Sequence, residues 1–371
     1  MKIAILTQPL GHNYGGIMQA WALQKILKRM GHDPITIDRR SNSRSFLHRV
    51  TNAARRTILN PIRYGSLAPK NEISVDTKNT RRFIQEEIKM SPMFVNSAQL
   101  SDHFKKSNYD VAIVGSDQTW RPAYSPNLKN FYLDFLHSQI IKKIAYASSF
   151  GVDQWELGPL ETKQCALLAQ SFDFISVREK SGVNLCEKHL GVKADVALDP
   201  TLLLTHDDYR KLIDNKNRSS SDTGGLYVFL LDRTPEKNAV SQKISRELGL
   251  KIFTHDAVPY EIGDAPIQKY TMPTVHDWLS GFERADYIVT DSYHGMLFSI
   301  IFNKPFLVFE NDFRGASRFS SLLEQLDLEG KMINRFNIDS LPDFTPTPTA
   351  SINKLKKLRE ESISKLTNYI N

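Results

Sequence analysis

Short apolar runs alternate with segments of helical periodicity along almost the whole chain. Lys2 to Thr7 reads as a strand. Ile17 to Met30 sets Ile17, Ala20, Leu23, Ile26, Leu27 and Met30 on one helical face and stops at Gly31 in the C′ position. Ile35 to Asp38 is a second strand, so the chain opens strand–helix–strand. Further strands are predicted at Tyr109–Val114, Lys143–Ala147 and Phe172–Val177, with helices at Thr80–Met90, Leu160–Ala169 and Val183–Leu190. After a polar stretch at Ser219–Gly225 the alternation resumes: strand Leu226–Leu231, helix Pro235–Leu248, strand Lys251–Thr254, helix Val275–Phe282. Then comes a compact unit: strand Tyr287–Thr290, polar turn Asp291–Gly295, helix Met296–Phe302 and strand Phe306–Phe309. A helix at Phe319–Leu326, a Pro/Thr-rich stretch at Pro342–Thr349 and an amphipathic helix at Ile352–Ile370 end the chain. Continuous apolar strands separated by helices predict an α/β protein with buried parallel sheets. The division expected is 1–200, carrying an insertion at 39–90, then 201–345, then a closing helix in 346–371.

In such folds ligands sit at the carboxyl ends of the strands. The polar residues predicted there are therefore the candidates. His294 follows Tyr287–Thr290 and precedes a helix, where unpaired N–H groups and the helix dipole favour an anion. Asp117 lies in the Ser116–Asp117–Gln118 turn after another strand, and Arg178 follows Phe172–Val177 directly. Arg314 and Arg318 precede the helix at Phe319, where a guanidinium fork suits a carboxylate or phosphate. The loop with Gly11, Gly15 and Gly16 lacks the G-x-G-x-x-G spacing; it is either a tight turn or a place where a ligand approaches backbone. A lone turn histidine is as often a cap as a catalyst, and the alternative reading of Asp117 is an Asx-turn or helix cap.

Charge adds one feature. The formal net charge is +7, and Arg39–Arg63 contains Arg39, Arg40, Arg44, Arg49, Arg55, Arg56 and Arg63 without an acidic residue. Such a segment suits an anionic membrane surface or a phosphorylated acceptor, and equally a solvated helix pair or insertion. Hydrophobic residues make up 41% and charged ones 24%, the balance of a globular protein. Cys165 and Cys186 have no metal spacing and read as reduced thiols of a cytoplasmic protein. The histidines lack H-x-x-x-H and H-E-x-x-H spacing, so no metal is expected. No zinc-finger, RNP or helix-turn-helix signature points to nucleic acid. No apolar run approaches the length of a transmembrane helix.

The ordered set Asn13–His32 (NYGGIMQAWALQKILKRMGH), Val114–Pro122 (VGSDQTWRP), Ser176–Gly182 (SVREKSG), Leu198–Leu204 (LDPTLLL), Thr290–Phe306 (TDSYHGMLFSIIFNKPF) and Arg314–Leu323 (RGASRFSSLL) resembles the polysaccharide pyruvyl transferases. The resemblance spans Lys2 to about Leu328. It implies the GT-B-like architecture, two Rossmann-like domains facing across a cleft. It implies phosphoenolpyruvate as co-substrate, no cofactor, and a pyruvyl group moved onto two sugar hydroxyls as a cyclic ketal. On this reading His294 is the general acid, a task that suits a residue type titrating near neutrality. Arg178, Arg314, Arg318, Lys304, Ser292 and Gly295 would hold the donor. Asn13, Tyr14, Gly15, Gly16, Ser116, Asp117 and Gln118 would face the acceptor. That acceptor would be a saccharide, lipid-linked, at the inner face of a membrane touched through Arg39–Arg63. Two rivals stand beside it. One is a nucleotide-sugar glycosyltransferase of the same architecture, with Glu310 or Asp312 as a ribose partner. The other is a non-catalytic binding protein of polysaccharide assembly.

Overall fold

The computed structural model describes residues 1–41, 74–136, 141–214, 224–259, 269–310, 315–333 and 344–371. Their strands, in chain order, are β1 (Lys2–Leu6), β2 (Asp33–Arg39), β3 (Ser74–Asp76), β4 (Met90–Phe94), β5 (Val111–Val114), β6 (Lys142–Ser148), β7 (Phe174–Val177), β8 (Asp195–Val196), β9 (Leu226–Phe229), β10 (Ile252–Phe253), β11 (Val258–Pro259), β12 (Lys269–Thr271), β13 (Tyr287–Thr290), β14 (Phe306–Phe309) and β15 (Met332–Ile333). The first unit is a parallel sheet of order β4-β2-β1-β5-β6-β7-β8, and the second a parallel sheet of order β10-β9-β13-β14-β15. In both, the order reverses beside the first strand, leaving crevices at the carboxyl ends of β1, β5 and β13.

Strand alternation explains the layers. Ile3, Ile5, Val111 and Ile113 face one core, whereas Ala4, Leu6, Ala112 and Val114 face another. The first of these cores is shared: it continues through Tyr14, Trp21 and Tyr209 to Trp278, Ile288 and Phe298 of the second unit. The two units are therefore joined by buried apolar surface as well as by chain. A small third sheet, β11-β12-β3, adds a direct splice, because β3 from the first unit pairs in parallel with β12 from the second. The Thr349–Ile370 helix returns to the first unit. Tyr369 stacks on Phe174 with ring centroids 3.6 Å apart, Arg359 Nε donates to Leu202 O at 2.6 Å, and Lys365 pairs with Asp195 at 3.0 Å.

Several predicted boundaries move. The helix expected at Thr80–Met90 is Lys78–Glu87, and Met90 opens β4. That strand carries Pro92, which an edge position tolerates. The helix expected at Val183–Leu190 begins at Lys180 and finishes as a π-turn over Cys186–Leu190. Arg39 does not belong to a membrane-facing surface. It is the buried last residue of β2, and its Nε donates to Asn130 Oδ1 at 2.8 Å; Arg40 pairs with Asp38. The rest of the basic segment, Arg44 to Arg63, lies outside the described residues, as do Asp312 and most of Ser219–Gly225. No helix among the described residues is long and apolar enough to cross a membrane. Cys165 and Cys186 are buried and unpaired, and burial pushes their thiols up to about 11 and about 12.

Candidate active site

The three helices that meet at the cleft all start one turn earlier than their apolar periodicity. The first runs Tyr14–Arg29, not from Ile17. The second runs Tyr293–Ile301, not from Met296. The third runs Ala316–Gln325, not from Phe319. In each, the extra turn faces the cleft and holds site residues: Gly15 and Gly16, His294, and Arg318. Gly15 and Gly16 thus sit in helix, at ordinary backbone angles, and not in a positive-φ turn.

His294 is positioned from both sides. Behind it, Ser292 caps the helix by accepting from Gly295 N at 3.2 Å. Asp291, fully buried at the end of β13, accepts from Leu231 N (2.6 Å), Asp232 N (3.0 Å) and Lys237 Nζ (2.6 Å), which fixes the turn. In front, the ring lies against Gly15 of the other unit. A Cβ at Gly15 would fall 2.0 Å from His294 Nδ1, so only glycine admits the ring there. His294 Nε2 is closed off 3.5 Å from Asp199 Oδ2. Nδ1 is then the nitrogen beside Gly15, a residue that itself lines the cleft.

Asp199 is the centre of the charge network, although the sequence gave it no role. It follows β8 and precedes Pro200, the pattern of a helix cap, and its Oδ1 does accept from Thr201 N (2.9 Å) and Thr201 Oγ1 (2.7 Å). The same carboxylate turns Oδ2 to Arg178 Nη2 at 2.8 Å and to His294. Burial alone would raise its pKa; the charge of Arg178, the bond to His294 and the Thr201 N–H outweigh that and hold the carboxyl well below the usual range. Arg178 is likewise buried, its Nε donating to Ser116 Oγ at 2.8 Å and its Nη1 lying 3.8 Å from Asp117 Oδ1. Burial works against its charge, and Asp199 and Asp117 more than restore it.

A second guanidinium stands beside the first. Arg178 and Arg318 lie over the Tyr293 ring at 5.6 and 5.0 Å. Burial and the like charge of Arg178 lower the pKa of Arg318, and Glu179 and Asp117 oppose that. Glu179, also absent from the predicted site, is wholly buried. Its Oε1 accepts from Ser149 Oγ (3.0 Å) and Phe150 N (2.9 Å). Burial raises its pKa, against the pull of Arg318. Its sequence signals are adjacency to Arg178 and a place in the Ser176–Gly182 segment. The loop after β6 is tied to Arg318's helix by Gly315, at φ +93°, where a Cβ would fall 1.8 Å from Gly151 O.

His294, Arg318 and Asp117 line a cleft of about 570 Å³ between the units, and Arg178, Glu179 and Asp199 are not among its lining residues. Asn13, Tyr14, Gly15, Asp117, Gln118, Ser292, His294 and Arg318 line it. Tyr14 also clamps the units together, stacked on Trp278 at 5.0 Å and donating to Pro273 O at 2.8 Å. Other predicted residues sit elsewhere. Ser116 and Arg178 are beneath the floor, and Ser116 is occupied by Arg178, Gln19 and Ala147. Gly16 packs towards Asp117 Oδ2, 3.4 Å from where its Cβ would be. Gly295 is a packing glycine whose added Cβ would fall 2.3 Å from Thr290 Oγ1. Lys304 is not at the site. The helix carries the chain back to the start of β14, so Lys304 lies at the opposite end of the sheet near Asp286 and Glu283. Arg314 lies outside the described residues. No group of three or more His, Cys, Asp or Glu side chains suited to a metal ion occurs among the described residues.

Known structures share this architecture. Arabidopsis thaliana UGT89C1 is similar over 100% of this chain and 99% of its own, with 10% identity and a TM-score of 0.50. UDP-GlcNAc 2-epimerase from Neisseria meningitidis bound to UDP-GlcNAc is similar over 99% and 94%, with 12% identity and a TM-score of 0.50. UDP-N-acetylglucosamine 2-epimerase from Rickettsia bellii is similar over 100% and 97%, with 13% identity and a TM-score of 0.51. At such identities the likeness is one of fold, the GT-B arrangement of two facing units. A search of curated proteins gave no match. The sequence itself decides the family: a family model for polysaccharide pyruvyl transferases matches residues 13–313, and the chain belongs to that family.

Proposed function

We propose that the protein transfers the pyruvyl group of phosphoenolpyruvate to two hydroxyls of one saccharide, forming a cyclic ketal and inorganic phosphate. The observation that carries this reading is the cluster at the cleft floor. A histidine is backed by a buried carboxylate, beside two guanidiniums, between two domains. His294 delivers a proton to the methylene carbon of the enol, and the oxocarbenium-like centre so formed is attacked by the first sugar hydroxyl. Phosphate leaves with the C–O bonding pair. The second hydroxyl then closes the ring at the same carbon. Of the two hydroxyl protons, one restores His294 and the other leaves on phosphate. Arg318, which lines the cleft, is the direct anion contact. Arg178 acts from below, through its charge and through Asp199. Asp199 fixes Nε2 and stabilises the imidazolium. The donor side is the floor, and the acceptor side is the Asn13–Gly15 and Asp117–Gln118 wall. A lipid-linked acceptor at a membrane surface fits the basic segment of the sequence.

The test is phosphate release from phosphoenolpyruvate with galactosyl, mannosyl and glucosyl acceptors, for wild type and His294→Ala. Release is expected to require an acceptor and to fall by about 10²- to 10⁴-fold in the variant, the usual weight of a general acid. Release that survives in the variant removes His294 as the acid. No release, and no phosphoenolpyruvate binding, turns the reading towards nucleotide-sugar transfer.

A further inference from the structure

The cleft has a second feature, away from the charged floor. Tyr124 is 46% exposed, yet it lines the cleft and is braced from behind. Its ring lies 4.9 Å from the Arg121 guanidinium. That guanidinium is itself held: Nη1 donates to Gln118 Oε1 at 3.1 Å and Nε lies 3.4 Å from Glu156. The backbone is fixed too. Tyr124 N donates to Arg121 O at 3.2 Å, Ser125 Oγ donates to Thr119 O at 2.7 Å, and Gln8 Nε2 donates to Ser125 Oγ at 3.0 Å. A side chain this exposed gains little from burial, but it stands in a fixed place. Leu231 is 45% exposed and lines the same cleft from the other unit. Gln8 sits beside Tyr124 through its bond to Ser125, and His12 and Asn13 line the same cleft; these side chains are amides and an imidazole.

We propose that Tyr124 is the platform of an acceptor subsite for a neutral pyranose ring. An aromatic face is electron-rich, and the axial C–H groups of a pyranose present a weakly positive, apolar face to it. The hydroxyl rim of the same ring needs hydrogen-bonding groups, which Gln8, His12 and Asn13 supply. Leu231 covers the ring from the opposite wall. Arg121, the cation next to the platform, is engaged beneath it, so an acidic sugar finds no free cation at this position among the described residues. The inference rests on the saccharide acceptor of the proposed reaction and adds where that acceptor stacks and what charge it carries there.

The experiment is calorimetric titration of neutral oligosaccharides ending in galactose, mannose or glucose, and of one ending in glucuronic acid, into wild type, Tyr124→Ala, Tyr124→Trp and Leu231→Ala. At least one neutral glycan is expected to bind. Its dissociation constant should rise about tenfold in Tyr124→Ala, the weight of an aromatic contact, and stay within about twofold in Tyr124→Trp. Leu231→Ala should cost less than Tyr124→Ala. Equal affinity in wild type and Tyr124→Ala overturns the proposal, as does binding of the glucuronide alone or of no glycan. Phosphate release in the same variants separates this from the reaction: a raised acceptor KM at unchanged kcat and unchanged phosphoenolpyruvate KM marks the platform. Tyr124-dependent glycan binding without any phosphate release keeps the subsite and removes the pyruvyl donor.

Discussion

The two units supply different kinds of group to one cleft. The first unit gives Ser116 and Asp117 after β5, Arg178 and Glu179 after β7, and Asp199 after β8, none more than 6% exposed. Apart from the Ser116 hydroxyl, which accepts from Arg178, these are charges that face one another. The second unit gives two first-turn side chains of its helices, His294, which the proposed reaction asks to gain and lose a proton, and Arg318. The contrast follows from desolvation. A buried ion costs several kcal/mol unless its partners are already in place, and converging strand ends of a rigid parallel sheet hold such partners still. His294 is set on the opposite unit, where it reaches Asp199 across the interface. The cluster is thus complete only when the units are closed, and the shared core and the β3–β12 pairing keep them so.

Breaking the fixed half should have the largest effect. Arg178→Met leaves Asp199 buried without its closest cation, at 2.8 Å in the wild type. Removing one partner of a buried pair costs about 3–5 kcal/mol, so the denaturation midpoint should fall well below that of wild type. Stability unchanged to within 1 kcal/mol, on the order of the scatter of surface substitutions, would mean that the network is not the rigid element described.

Disturbing only the contact between the halves should spare stability and hit turnover. Gly15→Ala places a methyl where His294 Nδ1 now lies, at 2.0 Å, so the ring must move. A displacement near 1 Å in a catalytic group costs about 10²-fold in rate. Far-ultraviolet circular dichroism and the melting temperature should stay close to wild type while phosphate release drops. An active Gly15→Ala enzyme would show that His294 need not keep this position.

The sequence shows the halves unevenly. In the His294 unit β13 and β14 are legible residue for residue, as short runs closed by polar residues or proline, whereas β9 and β10 are shorter than their apolar runs and β15 escapes notice at two residues. Helix starts are not legible, because the first turns of the Tyr14, Tyr293 and Ala316 helices face the cleft and so carry glycine, histidine and arginine instead of core residues. Periodicity registers only the buried turns. Asp199 stayed hidden for a different reason: a cap pattern accounts for one carboxylate oxygen and says nothing of the other. Glu179 sits in the matched Ser176–Gly182 segment, but only the folded chain shows that it is buried and faces Arg318. Lys304 was misplaced because nearness along the chain to His294 is not nearness in space when a helix intervenes.

The finest test is to change the charge that the two halves share while keeping its shape. Asp199→Asn retains an oxygen for the Thr201 N–H and removes the negative charge facing Arg178 and His294. Because the folded carboxyl titrates below its unfolded counterpart, ionised Asp199 binds fewer protons when folded. Its stabilisation is therefore complete above the ordinary carboxylate pKa of about 3.9 and is lost as pH falls below that. At neutral pH the variant should melt lower than wild type. On acidification below about 3.9 the wild type should lose stability more steeply, and the gap between the two melting curves should narrow steadily, closing only beneath the depressed pKa of the folded carboxyl. His294 would lose its anionic partner at the same time, so phosphate release by the variant should fall at neutral pH. Melting curves that stay parallel across the acid range would assign the depressed titration to another carboxylate, and unchanged phosphate release would separate Asp199 from the work of His294.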